Sequence, residues 1–159
     1  MTQEDLINDW LIRAKRKTHA HAKSASRAIK LHYLLGVPSV ILSAITATAV
    51  FAEVESDPTS EYKYIVVGII VLAAILTSLQ TFFKYSELTA LHKATSATYS
   101  KIRRKAEIAL VEIAKQESNK ERIDTLISEI EERFNDTTDI EPLIPNGIWA
   151  KVESKYPRT

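Results

Sequence analysis

Residues Leu31 to Ala52 read LHYLLGVPSVILSAITATAVFA, and residues Tyr64 to Phe83 read YIVVGIIVLAAILTSLQTFF. Neither stretch contains Asp, Glu, Lys or Arg; Lys30 and Glu53 bound the first, Lys63 and Lys84 the second. A helix needs about 20 residues to cross a hydrocarbon layer about 30 Å thick. A charge at mid-bilayer costs roughly 2.5–3.5 kcal/mol on insertion scales, whereas soluble helices carry charge on their outer face. The pair is therefore read as two membrane spans. The fold class follows: an all-α membrane protein, two transmembrane helices with long cytoplasmic helical arms on both sides.

Whole-chain averages conceal this pattern. The net charge is +1 and the hydrophobic content 45%, values ordinary for a soluble domain, because two apolar spans are averaged with very polar arms. In 159 residues little chain remains outside the spans for a conventional enzyme domain. The absence of cysteine excludes disulfides and thiolate metal sites.

Charge placement orients the chain. Between Trp10 and His32 lie Arg13, Lys15, Arg16, Lys17, Lys23, Arg27 and Lys30, with no acid among them. Lys84, Lys93, Lys101, Arg103, Arg104 and Lys105 follow the second span against Glu87 alone. The segment between the spans holds Glu53, Glu55, Asp57 and Glu61. Basic flanks stay in the cytoplasm, so both termini are expected inside and the acidic loop outside. The 30 residues before the first stretch exceed an ordinary signal-peptide n-region. The basic positions from Arg13 to Lys30, with Lys84, are either solvated or in contact with anionic lipid headgroups.

The expected organisation is one two-span unit: an N-terminal helix over 3–35, spans over 37–53 and 64–83, an outer loop over 54–63, a helical arm over 84–134 and a loop-rich tail over 135–159. Thr2 with Glu4 and Asp5 suits a helix start. Ile7, Trp10 or Leu11, Ala14, Thr18, His21, Ala25 and Ala28 form a narrow, small stripe suited to packing on another helix. Gly36 and Pro38 predict a bend where the arm meets the first span. Beyond Phe83 no Gly or Pro occurs before Pro142, so a continuous helix is expected. Its seam runs Leu88, His92, Thr95, Tyr99, Ile102, Ala106, Ala109, Ile113, then Ile123, Ile127, Ile130 and Phe134. Ser118-x-x-Glu121 is a capping box that would start a new helix. From Ala106 to Glu141 there are eleven acids and four bases, a segment able to fold back on the basic N-terminal arm or to pair with another subunit.

No phosphate loop, nucleophile elbow or H-E-x-x-H motif is present, and no enzyme activity, cofactor, metal site or nucleic-acid partner is expected. His19 and His21 point to different helix faces and do not share a metal. His32 and His92 both fall near the inner membrane edge, where they can face one another. Within the spans, Gly36, Ser39, Ser43 and Thr46 share one face, and Ala73, Thr77, Gln80 and Thr81 another. Buried hydroxyls in lipid need partners; these faces either pack helix on helix or line a wet path in an oligomer.

The order of features resembles the SLATT family, two-transmembrane effectors of bacterial conflict systems. The likeness lies in the arm with Trp10, Leu35-Gly36-Val37-Pro38, Leu42-Ser43-Ala44, the run Leu72 to Phe83, Tyr85-Ser86-Glu87, His92 and Tyr99. It covers roughly Leu6 to Phe134. With the orientation read from charge, it implies an inner-membrane effector acting as a homo-oligomer that permeabilises the bilayer and causes growth arrest or death. It also implies a nucleotide-second-messenger sensor or synthase encoded nearby. The alternatives are a membrane anchor or scaffold whose arm recruits a soluble partner, or a small constitutive channel.

Overall fold

The computed structural model describes residues 2–54, 62–115 and 119–157, with backbone alone for 49–54 and 62–63. Its elements are all helical: α1 (Gln3–Val54), α2 (Tyr62–Phe83), α3 (Tyr85–Ile113), α4 (Lys120–Ile140) and α5 (Asn146–Lys155). The chain divides into two compact units. One, the arm unit, contains residues up to Ser26 and from Leu88 onward; the other, the span unit, is Arg27–Glu87. The acidic outer loop and Ser118 lie outside the described residues.

α1 begins on a reciprocal cap. The Asp5 amide donates to Thr2 Oγ1 at 3.1 Å, and the Thr2 amide donates to the Asp5 carboxylate at 2.9 Å. The expected division of α1 at Gly36 is not found; one helix runs through Gly36, Val37 and Pro38. A proline costs one hydrogen bond of a ladder and crowds the preceding turn, and the remaining turns of a 52-residue helix continue past it.

Two further boundaries interrupt the arm, the first against expectation and the second where the capping box predicted a new helix. α2 and α3 are separated at Lys84, whose φ of 45° is left-handed. A non-glycine side chain there costs roughly 1–2 kcal/mol, so no sequence signal of the usual Gly or Pro kind marks this break. α4 starts afresh at Asn119, whose side chain accepts from the Arg122 amide at 3.2 Å. α4 then extends to Ile140, past the expected end at Phe134.

In the arm unit, the first turns of α1 pack antiparallel to α3, and α4 returns along α3. Ser96 Oγ on α3 donates to the Thr18 carbonyl on α1 at 3.0 Å. The Tyr99 ring meets Phe134 with centroids 5.4 Å apart. Ile7, Ala14, Tyr99, Ile102, Ala106, Ala109 and Ile130 form the buried core, with Trp10, Leu11, Leu126 and Ile127 packed on it. The alanines let backbones approach closely, which a narrow stripe requires. The seam at Ile123, Ile127 and Ile130 therefore finds its partner in the same chain, by the return packing that the acidic segment allowed.

α5 gives order to the tail, which was expected to be loop-rich. Val152 is buried. Arg16, only 2% exposed, donates from Nε to the Tyr156 carbonyl at 2.5 Å and lies 3.8 Å from Glu153. His19 stacks on the Tyr156 ring with centroids 5.0 Å apart. Arg16 is thus withdrawn from any lipid surface, contrary to its expected headgroup role. Hydrogen bonds to charged groups contribute about 1.5–3 kcal/mol. Arg16→Ala is expected to speed amide exchange over residues 146–155 by tenfold or more, with the remaining helices unchanged. Unaltered protection of α5 would show that Val152 alone holds it.

In the span unit, α1 from Arg27 and α2 form an antiparallel pair, since Gly36 lies against Gln80 while Ser39 meets Thr77. Among the described residues, Ser39 and Ala73 are the buried ones of the two apolar segments, and large apolar side chains such as Val40, Ile41, Ile65, Leu72 and Ile75 are exposed around them. Both helices are long and apolar enough to cross a membrane, with apolar windows of mean hydropathy 1.6 and 2.3.

Candidate functional site

The polar faces expected in the spans meet one another within the chain. Ser39 Oγ and Thr77 Oγ1 share a hydrogen bond at 2.5 Å. The Gln80 amide lies 3.3 Å from His32 Nδ1. Gly36 provides the room for it: a Cβ there would stand 2.9 Å from Gln80 Nε2. Gly36 is a close-approach glycine, a role its place before Pro38 did not suggest. Thr77 Oγ1 also lies 2.9 Å from the Ala73 carbonyl and Ser43 Oγ donates to Ser39 at 2.8 Å. Thr81 Oγ1 donates to the Thr77 carbonyl at 3.0 Å. These are hydroxyl contacts to the carbonyl four residues earlier, which satisfy a polar group inside lipid. Ser43 and Thr81 remain exposed. Thr46 Oγ1 is buried and has no hydrogen-bond partner among the described residues.

His32 belongs to the span unit, where its partner is Gln80. His92 lies in the arm unit, with its Nδ1 2.9 Å from Nδ1 of His21. His21 Nε2 lies 3.2 Å from the Glu141 carboxylate. The Tyr99 hydroxyl donates to the same carboxylate oxygen at 2.8 Å, and Lys17 forms an ion pair with the other oxygen. His21 also stacks on Tyr99, with centroids 5.8 Å apart and planes 10° apart. Lys17, like Arg16, is committed within the fold. By contrast Arg13, Lys23, Arg27, Lys30 and Lys84 are exposed; Arg13 pairs with Asp9 and Lys84 with Glu87. Lys15 lies over the Tyr156 ring at 4.9 Å.

The partners fix where the protons go. Ionised Glu141 accepts only, so neutral His21 presents Nε2–H to it and leaves Nδ1 as an acceptor. His92 must then donate from its own Nδ1. The result is one directed chain from His92 through His21 to Glu141, with Tyr99 and Lys17 converging on the same carboxylate. Burial works against charge on Glu141, but hydrogen bonds from His21, Lys17 and Tyr99 outweigh it and bring its pKa down to about 2. Burial, with the nearby carboxylate, pushes the Tyr99 hydroxyl well up. Burial and then the neighbouring His21 push His92 down from its ordinary 6.5.

The groups stand in a row rather than around a point, so they make a poor metal site; among the described residues no cluster of three potential ligands occurs. His21, His92 and Tyr99 each lie on an apolar stripe legible in the sequence, and a polar residue inside such a stripe signals a buried hydrogen-bond partner. Glu141, just beyond α4, falls where the four-three spacing of Ile123, Ile127, Ile130 and Phe134 continues through the buried Thr137, a signal that the seam, read only to Phe134, left unused.

The model of a family described as SMODS and SLOG-associating 2TM effector domain family 4 matches residues 4–140. The match takes in the α1 arm, both candidate spans, α3 and α4, and stops one residue before Glu141. No curated protein and no solved structure matches the chain.

Proposed function

Because the chain belongs to SMODS and SLOG-associating 2TM effector domain family 4, a family of membrane effectors of conflict systems, we propose that it acts by assembling in the inner membrane and permeabilising it. Growth arrest or death of the cell is the outcome. Both termini and the arm unit are cytoplasmic, as the basic flanks require. The activating partner is a nucleotide-second-messenger sensor or synthase encoded nearby. The single observation that carries this reading is the family match over residues 4–140.

Two features of the span unit support it. A two-helix hairpin encloses no channel, so a conduction path requires several copies. The exposed hydroxyls of Ser43 and Thr81, each supplied with an acceptor by its own helix, can border water at little cost. Ser39, Thr77 and Gln80 hold the hairpin together, so the wet surface is assigned to Ser43 and Thr81. A hydrophobic constriction elsewhere keeps the resting path dewetted.

The test is dye release from liposomes carrying the purified full chain, paired with a membrane-potential dye in expressing cells. The parent is expected to release dye and collapse the potential. Ser43→Leu with Thr81→Leu is expected to insert equally and lower release severalfold. A parent that leaves liposomes sealed in the presence of its nucleotide-signalling partner favours the anchor reading instead.

A further inference from the structure

We propose that His21, His92 and Glu141 form a proton-sensitive clasp that holds the α1 arm onto α3 and the end of α4, and that acidification on the side bearing the arm unit releases it. The proposal rests on the function given above in one respect only: release is taken to be the step that frees the span helices to assemble.

The geometry carries the argument. Two imidazoles meet through their Nδ1 atoms at 2.9 Å, so exactly one proton belongs between them. With no added proton, the chain His92 to His21 to Glu141 is complete. One added proton is also tolerated: His21 becomes imidazolium, donates from Nε2 to Glu141 and from Nδ1 to His92, and His92 shifts its own proton to Nε2. A second added proton has no such solution. Both Nδ1 atoms then carry hydrogen, and two cations stand 2.9 Å apart at residues that are at most 1% exposed.

The surroundings make that second proton costly. From α1 the facing groups are His21 and Lys17; from α3, His92 itself and Tyr99; from the end of α4, Thr138 and Glu141. The charged and aromatic groups of α5 meet the other face of α1, at Arg16, His19 and Lys15. Glu141 is the one anion in the cluster, and it already serves Lys17 and His21. Nothing among these groups offers a second counter-charge. The depressed affinity of His92 for a proton agrees with this arrangement.

The sign follows from linkage. An unfolded or released arm leaves His92 free to protonate near its ordinary 6.5, whereas the clasped state refuses the second proton. Release therefore gains as pH falls below about 6.5, by up to about tenfold for each unit by which His92 is held down. Above that pH the clasp contributes its full stability. Two chain facts give the clasp reach: α1 carries both His21 and the span residues Gly36 and Ser39, and His92 lies on the helix that follows α2.

The test uses the full chain in lipid nanodiscs, with amide exchange over residues 3–26 corrected for intrinsic rates. Between about pH 7.5 and about pH 5.5, exchange in the parent is expected to rise severalfold, up to about tenfold, while His92→Gln, which cannot gain a charge, stays flat. If His92→Gln proves unfolded at the higher pH, ring nuclear resonance of the parent decides instead. Titration of His92 together with loss of protection supports the clasp. Titration without loss of protection overturns it, as does equal protection of the parent at both pH values or an equal rise in folded His92→Gln. Liposome dye release over the same pH range is measured separately. Release of the arm without dye release keeps the clasp and sinks the permeabilising function; dye release without arm release does the reverse.

Discussion

Glu141→Ala is expected to destabilise the arm unit by about 3–5 kcal/mol, the cost of breaking a buried charged pair by removing one member. The carboxylate is 17% exposed and accepts from Lys17, His21 and Tyr99. Its removal strands three donors at once, one of them cationic, where water has little access. Tyr99→Phe removes a single donor and is expected to cost nearer 1 kcal/mol. Glu141→Gln keeps an acceptor oxygen and should fall between. Chemical denaturation of the full chain in micelles, followed by the fluorescence of Trp10 against the core, measures all three. A loss below about 1 kcal/mol for Glu141→Ala would show that the donors find other acceptors.

The pH dependence separates this residue from the histidines. Glu141 is held down from 4.5 to about 2. Its contribution is fully present above pH 4.5 and is lost as pH falls from there toward 2. Loss that begins below about 6.5 belongs to His92.

A second large effect is expected from Ile41→Asp combined with Ile75→Asp. These side chains are 52% and 50% exposed on the span hairpin, so neither substitution disturbs packing between α1 and α2. At mid-bilayer the two carboxylates cost roughly 5–7 kcal/mol together. That shifts an insertion equilibrium by about four orders of magnitude. The doubly substituted chain should leave the membrane fraction on alkaline carbonate washing and lose all toxicity, while Ile41→Val with Ile75→Val behaves as the parent. In a soluble hairpin the same aspartates would be harmless or would improve solubility. Retention in the membrane fraction would therefore falsify the spanning assignment.

The legible parts of this fold are those written as uncharged length or as spacing. The spans follow from the missing charges between Lys30 and Glu53 and between Lys63 and Lys84. The stripe through Ile7 and Ala14 and the seam through Tyr99, Ile102, Ala106 and Ala109 are buried as their periodicity requires. The break at Lys84 was not legible: its left-handed φ has nothing in the residue's identity to announce it. The start of α4 was legible in the capping box from Ser118 to Glu121, although Asn119 is the residue that caps it. Tertiary partners were the other gap. The sequence reading set only His32 beside His92; the packing of the α1 arm on α3 brings His21 to it. Gly36 was read both as part of a bend with Pro38 and as part of the small face of the first span, and the nearby amide of Gln80 favours the second reading.

The hydroxyls of Ser43, Thr48, Ser78 and Thr81 each carry an acceptor on their own helix, four residues back. This bears on the order of biogenesis. A serine or threonine that depended on another helix would be stranded from the moment it left the ribosomal tunnel until that neighbour arrived. These need no neighbour, so each span can be handed to hydrocarbon singly as it is synthesised. The assembly that the proposed function calls for would then be deferred to a later time, when finished chains meet by diffusion in the plane of the bilayer.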